Sequence, residues 1–114
     1  MATVLITGAD TGRTAERFVQ AGHAVHAGGE DLDSLDVLVN NAVPGTFEET
    51  VAGLAQVLQT YLPLLERSPH PLVVNVGAAD AVHLVTEQYA RTFPRVRFRT
   101  AENAEAVVRI AQDE

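Results

Sequence analysis

The chain has 114 residues, 46% hydrophobic, 20% charged and only 5% aromatic, a composition that suits one folded domain (residues 1–114) cored by Ala, Val and Leu, and excludes a disordered chain. Eight basic residues against 15 acidic ones leave a net charge of −7, which repels a polyanion, so neither nucleic acid nor an acidic membrane surface is expected as a partner. Every basic residue is an arginine, with no lysine anywhere, and the absence of cysteine excludes disulfides, thiolate nucleophiles and Cys-ligated metals.

The first elements follow at once. Val4-Leu5-Ile6 is an apolar run stopped by Thr7-Gly8, too short for a leader or a membrane span, so a cytoplasmic location is expected. Residues 3–7 read as a strand ending in Gly8. From Gly12, the spacing of Ala15, Phe18 and Val19 predicts an amphipathic helix closed by Gly22. A second strand fits His23–Ala27. The acidic run from Glu30 to Asp36 reads as a solvated crossover, and Asp36–Asn40 as a strand apolar on both faces, as a buried parallel sheet requires.

Thr46 is the expected cap of a helix over 46–67, with Glu48 and Glu49 at its positive end and Pro63 expected to bend or break it. Leu72–Val76 reads as the fourth strand. Asp80 is the expected N-cap of a helix reaching Phe93, Val96–Arg99 an edge strand, and 101–112 a closing helix with Ala104, Val107, Val108 and Ala111 on one face. Strands alternating with helices in this way specify an α/β fold with a parallel sheet covered on both sides.

Thr7-Gly8-Ala9-Asp10-Thr11-Gly12 lies between a strand and a helix, where glycines permit a tight turn and close approach of a phosphate to free helix amides. This hexapeptide resembles the TGxxxG turn of the short-chain dehydrogenase/reductase family. Asp36-Val37-Leu38-Val39-Asn40-Asn41-Ala42 resembles that family's LDVLVNNAG strand, and Leu62-Pro63-Leu64-Leu65 followed by Leu72-Val73-Val74-Asn75-Val76 resembles its LPxL and IVNVSS passage. Thr100–Ala111 is similar to its C-terminal helix, so the resemblance runs over essentially the whole chain. It implies a Rossmann-like fold and an NAD(P) site at Gly8, Asp10, Gly12, Arg13, Asn41 and Ala42, although the family's third glycine has no counterpart here, Glu30 serves as the ribose acid only if it lies one residue late, and Arg13 is either a 2′-phosphate ligand or a solvated first-turn residue.

The chain departs from that family where the chemistry lies. The family's proton transfer uses a Tyr activated by a Lys four residues later, a Ser and a helical Asn. Here Tyr89 is followed four residues on by Phe93, Gly77-Ala78 replaces the serine pair, and no asparagine lies between Thr46 and His70. A tyrosine phenol ionises near pH ~10 unless a neighbouring cation lowers it, so the missing lysine removes the usual base. Tyr89, His83 and Asp80 remain as weak catalytic candidates beyond the fourth strand. His23 and His26 flank a strand at odd spacing, so no shared metal is expected.

A helix, a strand and a second helix of the family are also missing between the second strand and Asp36. The remaining strands should lie in the order 2-1-3-4-5, and the residues from Gly28 to Leu35, extended, reach about 27 Å against the roughly 20 Å to be crossed. Such a crossover cannot hold a helix. It leaves Val4, Ile6 and Val25 at risk of exposure, so the sequence predicts a homodimer through the helices at 46–67 and 80–93, with Leu54, Leu58, Tyr61, Leu84 and Phe93 as interface candidates. A full-length relative is an alternative partner. The leading expectation is a binding or accessory protein without redox chemistry; the alternatives are an NAD(P)H oxidoreductase with atypical acid/base residues, and a cofactor-independent lyase, cyclase or isomerase.

Overall fold

A computed structural model describes residues 2–8, 12–26 and 32–113. The described elements are β1 (Thr3–Thr7), α1 (Gly12–Gln20), β2 (Ala24–His26), β3 (Val37–Asn41), α2 (Phe47–Leu65), β4 (Leu72–Val76), α3 (Asp80–Thr92), β5 (Arg97–Ala101) and α4 (Ala104–Asp113). All neighbouring strands pair in parallel, in the order β2-β1-β3-β4-β5. This is the expected Rossmann-like α/β arrangement, and between residues 32 and 36 the crossover contains no helix.

Side chains alternate across the sheet and divide the core in two. Leu5, Leu38, Val73 and Phe98 face α2 and α3, where Leu54, Leu58, Leu62, Val82 and Val85 meet them. Val4, Ile6, Val37, Val39, Leu72 and Val74 face α1 and α4, against Phe18, Val107 and Val108. The expected exposure of Val4 and Ile6 is therefore corrected: both are fully buried, and Val25 is half-buried beside them. The described end of the crossover, residues 32–36, lies over the other face, where Leu35 is fully buried against the α2 side and its N–H donates to the Leu64 carbonyl at 3.1 Å.

Leu54 and Leu58 are likewise removed as interface positions, since both are buried in the chain's own core. Tyr61 and Phe93 pack partly against that core, and Leu84 stays exposed.

The helix ends follow local chemistry. Gly22, at φ +91°, closes α1 as expected, with its N–H on the Val19 carbonyl and that of His23 on the Phe18 carbonyl. At α2, Thr46 and Glu49 form a reciprocal capping box: the Glu49 N–H donates to Thr46 Oγ1 and the Thr46 N–H to Glu49 Oε1. The Thr46 backbone N–H first, and the Thr46 hydroxyl second, hold the Glu49 carboxyl below its ordinary value of 4.5. A carboxyl lowered on folding stabilises the fold above its unfolded pKa, and that contribution disappears as pH falls through the folded value. Thr46→Ala, which removes the hydroxyl acceptor of the Glu49 N–H but keeps the backbone donor to the Glu49 carboxylate, should cost about 1 kcal/mol by chemical denaturation; no loss contradicts the cap.

Pro63 does not break α2. It lies on the exposed side two residues before the end, so the Gln59 carbonyl it leaves without an amide partner faces water. Two boundaries shift. β5 runs to Ala101, because Thr100 and Ala101 pair with Asn75 and Val76, and α4 consequently starts at Ala104, where the Asn103 side chain accepts the Ala106 N–H at 2.9 Å. At α3 the N-cap is Ala79, and Asp80 is the first helical residue with no capping bond, although its charge still suits the helix dipole.

Candidate functional site

Open parallel sheets place their ligands beyond the carboxyl ends of the strands, at the point where strand order reverses. Here that point lies between β1 and β3. Gly8 sits at the end of β1 with φ +88°, and a Cβ added there would lie 2.8 Å from Asn41 Cβ and 2.9 Å from the Asn41 carbonyl oxygen. The end of β3 thus fills the space beside Gly8. The Asn41 amide donates through Nδ2 to the Thr7 carbonyl at 2.8 Å, fastening the two strand ends together. The next link is made by the Ala42 N–H on the Val76 carbonyl (3.0 Å), and the last by the Gly77 N–H on the Ala101 carbonyl (2.8 Å).

Just inside this edge, Thr7, Asn40, Asn75 and Thr100 are register partners on four adjacent strands. Asn40 is buried, donates to the Leu54 carbonyl in the middle of α2 (3.2 Å), and accepts the Thr7 hydroxyl (3.3 Å). Asn75 is fully buried and donates to Thr86 Oγ1 (2.9 Å), whose own hydroxyl donates to the Val82 carbonyl; Asn75 Oδ1 has no hydrogen-bond partner among the described residues. Each amide pins a helix to the sheet.

Gly77 and His83 line a polar cleft of about 400 Å³ beyond β4 and β5, together with Thr100, Glu102, Glu105 and Arg109. Gly77 has φ +151°, and a Cβ there would meet Val82 Cγ2 at 2.9 Å and Ala42 at 3.3 Å, so Gly77 lies close against both Ala42 and the first turn of α3. Asp80 is exposed at the start of α3 and is not part of the cleft wall.

No family model matches the chain, and no curated protein matches it. Function has to be read from the residues themselves.

Tyr89 is far from the strand ends. Because the link from β4 is only Gly77-Ala78-Ala79, α3 begins at once, and Tyr89 falls about 13 Å along it from Asp80 at 1.5 Å per residue. Its ring stacks on Phe93 (centroids 5.8 Å) and tilts against Phe98 (6.2 Å), in the wall of an α2–α3 groove shared with Gln59 and Leu62. The structure therefore does not bring Tyr89 together with His83 and Asp80.

Of the expected cofactor residues, Asp10 lies outside the described residues, as does Glu30. Gly12 is the first residue of α1. The Arg13 guanidinium reaches across to Glu105 of α4 at 3.6 Å. His23 accepts the Ala2 N–H through Nδ1 and packs edge-on to Phe18, and among the described residues no three His, Asp or Glu side chains are grouped to hold a metal. No helix among them is long and apolar enough to cross a membrane.

Two polar clusters escape a reading of the sequence. One is Glu105 with Arg13, Arg17 and Arg109, signalled only by the four-residue spacings Arg13–Arg17 and Glu105–Arg109, which place each pair on one helix face. The other corrects the solvated reading of Asp36. At the opposite, amino end of the sheet this carboxylate accepts the Thr3 N–H (2.8 Å) and the Ser68 hydroxyl (2.6 Å), and Ser68 Oγ accepts the His70 N–H (3.3 Å). Asp36 ties β1 and the crossover to the α2–β4 turn.

Proposed function

We propose that the chain is a catalytically silent, Rossmann-like binding or accessory domain, pruned from a frame resembling the short-chain dehydrogenases/reductases. The observation that carries this reading is the use made of the polar groups at the carboxyl edge. Asn40, Asn41 and Asn75 give their amide donors to the chain's own backbone and to Thr86, and Tyr89 belongs to an aromatic stack on another part of α3. Proton transfer needs an acid or base within reach of the reacting atoms, and of the three candidates only His83 lines the cleft at the strand ends, Tyr89 lying in the α2–α3 groove instead.

The described residues are also a poor fit for NAD(P). Gly8 is packed against Asn41, the Asn41 amide donor is committed to Thr7, and Arg13 faces Glu105. The reading is tested by incubating the protein with NADH and NADPH over a panel of ketones and aldehydes. No cofactor oxidation above the protein-free blank is expected, and Tyr89→Phe should leave that baseline unchanged. Turnover that falls on Tyr89→Phe would return the oxidoreductase reading.

The His83 cleft favours one second reading, a lyase, cyclase or isomerase that needs no cofactor, because it places an imidazole beside the Glu102 carboxylate and the Arg109 guanidinium. A cofactor-free activity lost in His83→Gln would establish it. Self-association across the outer faces of α2 and α3, where Leu84 and the Tyr89–Phe93 groove lie, belongs to the leading proposal, as does docking on a full-length relative. A monomer by light scattering at micromolar concentration removes the homodimer.

A further inference from the structure

We infer that the groove between α1 and α4 is an anion site for a small phosphorylated molecule, held at present in an autoinhibited form by Glu105. The protein carries a net charge of −7, yet three of its arginines, Arg13, Arg17 and Arg109, gather on this one surface. One carboxylate serves them. Glu105 Oε1 lies 3.6 Å from Arg13 and 3.5 Å from Arg17, while Arg109 has no ion-pair or hydrogen-bond partner among the described residues. The same glutamate lines three adjoining hollows. They are the α1–α4 groove of about 660 Å³ walled by Arg17, Gln20, Arg109 and Gln112, the His83 cleft, and a hollow of about 230 Å³ beside Arg13 and Asn103.

A carboxylate seated between guanidinium groups marks where an external oxyanion would go. Both ion pairs are exposed, run through a single oxygen and are long, so they hold Glu105 only weakly. A phosphate group has more oxygens and more charge. It matches the planar donor fork of each arginine better than one carboxylate oxygen can, and it can bridge Arg17 to the unpaired Arg109. The volume of the groove falls in the range of small-molecule sites, and Gln20 and Gln112 supply neutral polar groups for the remainder of the ligand. Among the described residues the only other carboxylate lining these hollows is Glu102, in the His83 cleft. With Glu105 displaced, the three arginines outweigh it.

The experiment is calorimetric titration of the whole protein with inorganic pyrophosphate, and variants at Arg17 and Arg109, which wall the groove, separate binding there from binding at the glycine turn. Binding is expected to weaken as salt rises. Glu105→Gln, which removes the internal competitor but keeps its shape, should tighten binding by roughly tenfold, and Arg17→Gln with Arg109→Gln should weaken it by at least as much. All three side chains are exposed on helix surfaces, so the variants should fold, and far-UV circular dichroism checks this. The inference is overturned if neither the parent nor Glu105→Gln binds pyrophosphate at about 10 mM, an affinity below any useful one. Equal affinity of the parent and the double arginine variant overturns it as well.

Discussion

Replacing Asp36 by alanine is expected to lower the stability of the domain by about 3 kcal/mol, as read from urea denaturation. The estimate rests on two hydrogen bonds to one carboxylate, at 2.8 and 2.6 Å, each worth roughly 1.5–3 kcal/mol when the acceptor is charged, reduced because Asp36 is only half-buried. The Ser68 hydroxyl then loses its acceptor at a site that is 2% exposed. Domains of this size are stable by only about 5–15 kcal/mol, so the loss is a large part of the whole. Ser68→Ala removes the bond to Asp36 and the longer one from the His70 N–H but leaves the Thr3 contact, so it should cost less, about 2 kcal/mol. A loss below about 1 kcal/mol for Asp36→Ala would show that the carboxylate is a solvated surface charge after all.

Gly8→Ala should cost about 2–5 kcal/mol by the same measurement, with Gly22→Ala as its control. Both glycines have φ near +90°, a region in which an added Cβ costs roughly 1–2 kcal/mol. At Gly22 nothing lies within 4 Å of the added Cβ, so strain is the whole effect. At Gly8 the same Cβ would press on Asn41 at 2.8 and 2.9 Å, where the fixed end of β3 cannot yield, and overpacking adds about 1–3 kcal/mol. Equal losses at the two sites would refute close packing of Gly8 on Asn41. The comparison also bears on function. A ligand affinity lost in a Gly8 variant reports damage to the β1–β3 junction unless stability is measured beside it.

Much of the fold was legible in the residues. The apolar runs at 3–7, 37–41 and 72–76 are each too short for a helix and are bounded by glycine or polar turns, and the helices between them carry 3-and-4 spacing with Thr46 and Gly22 at their ends. From these, the parallel sheet and its 2-1-3-4-5 order follow, because short crossovers leave few ways to connect parallel strands. The site was less legible. Tyr89, His83 and Asp80 are near one another in sequence, but a helix that starts directly after Gly77-Ala78-Ala79 carries Tyr89 into the Phe93–Phe98 stack and leaves only His83 on the cleft.

What the amino-acid sequence determined by itself is therefore the set of elements, their order, and the end signals at Thr46 and Gly22, whereas the cap expected at Asp80 and the break expected at Pro63 did not form. The features it did determine depend on interactions within one or two turns of chain, where residue identity and spacing are sufficient. Tertiary structure alone decided that Val4 and Ile6 lie beneath α1 and α4 while Leu35 of the crossover closes the other face. It also joined Asp36 to Ser68 across 32 residues, and Arg17 to Glu105 across 88. The physical reason is that a period of two names the residues sharing a face of a strand, without saying which layer covers it. Partners so distant in the chain meet only once every layer has packed.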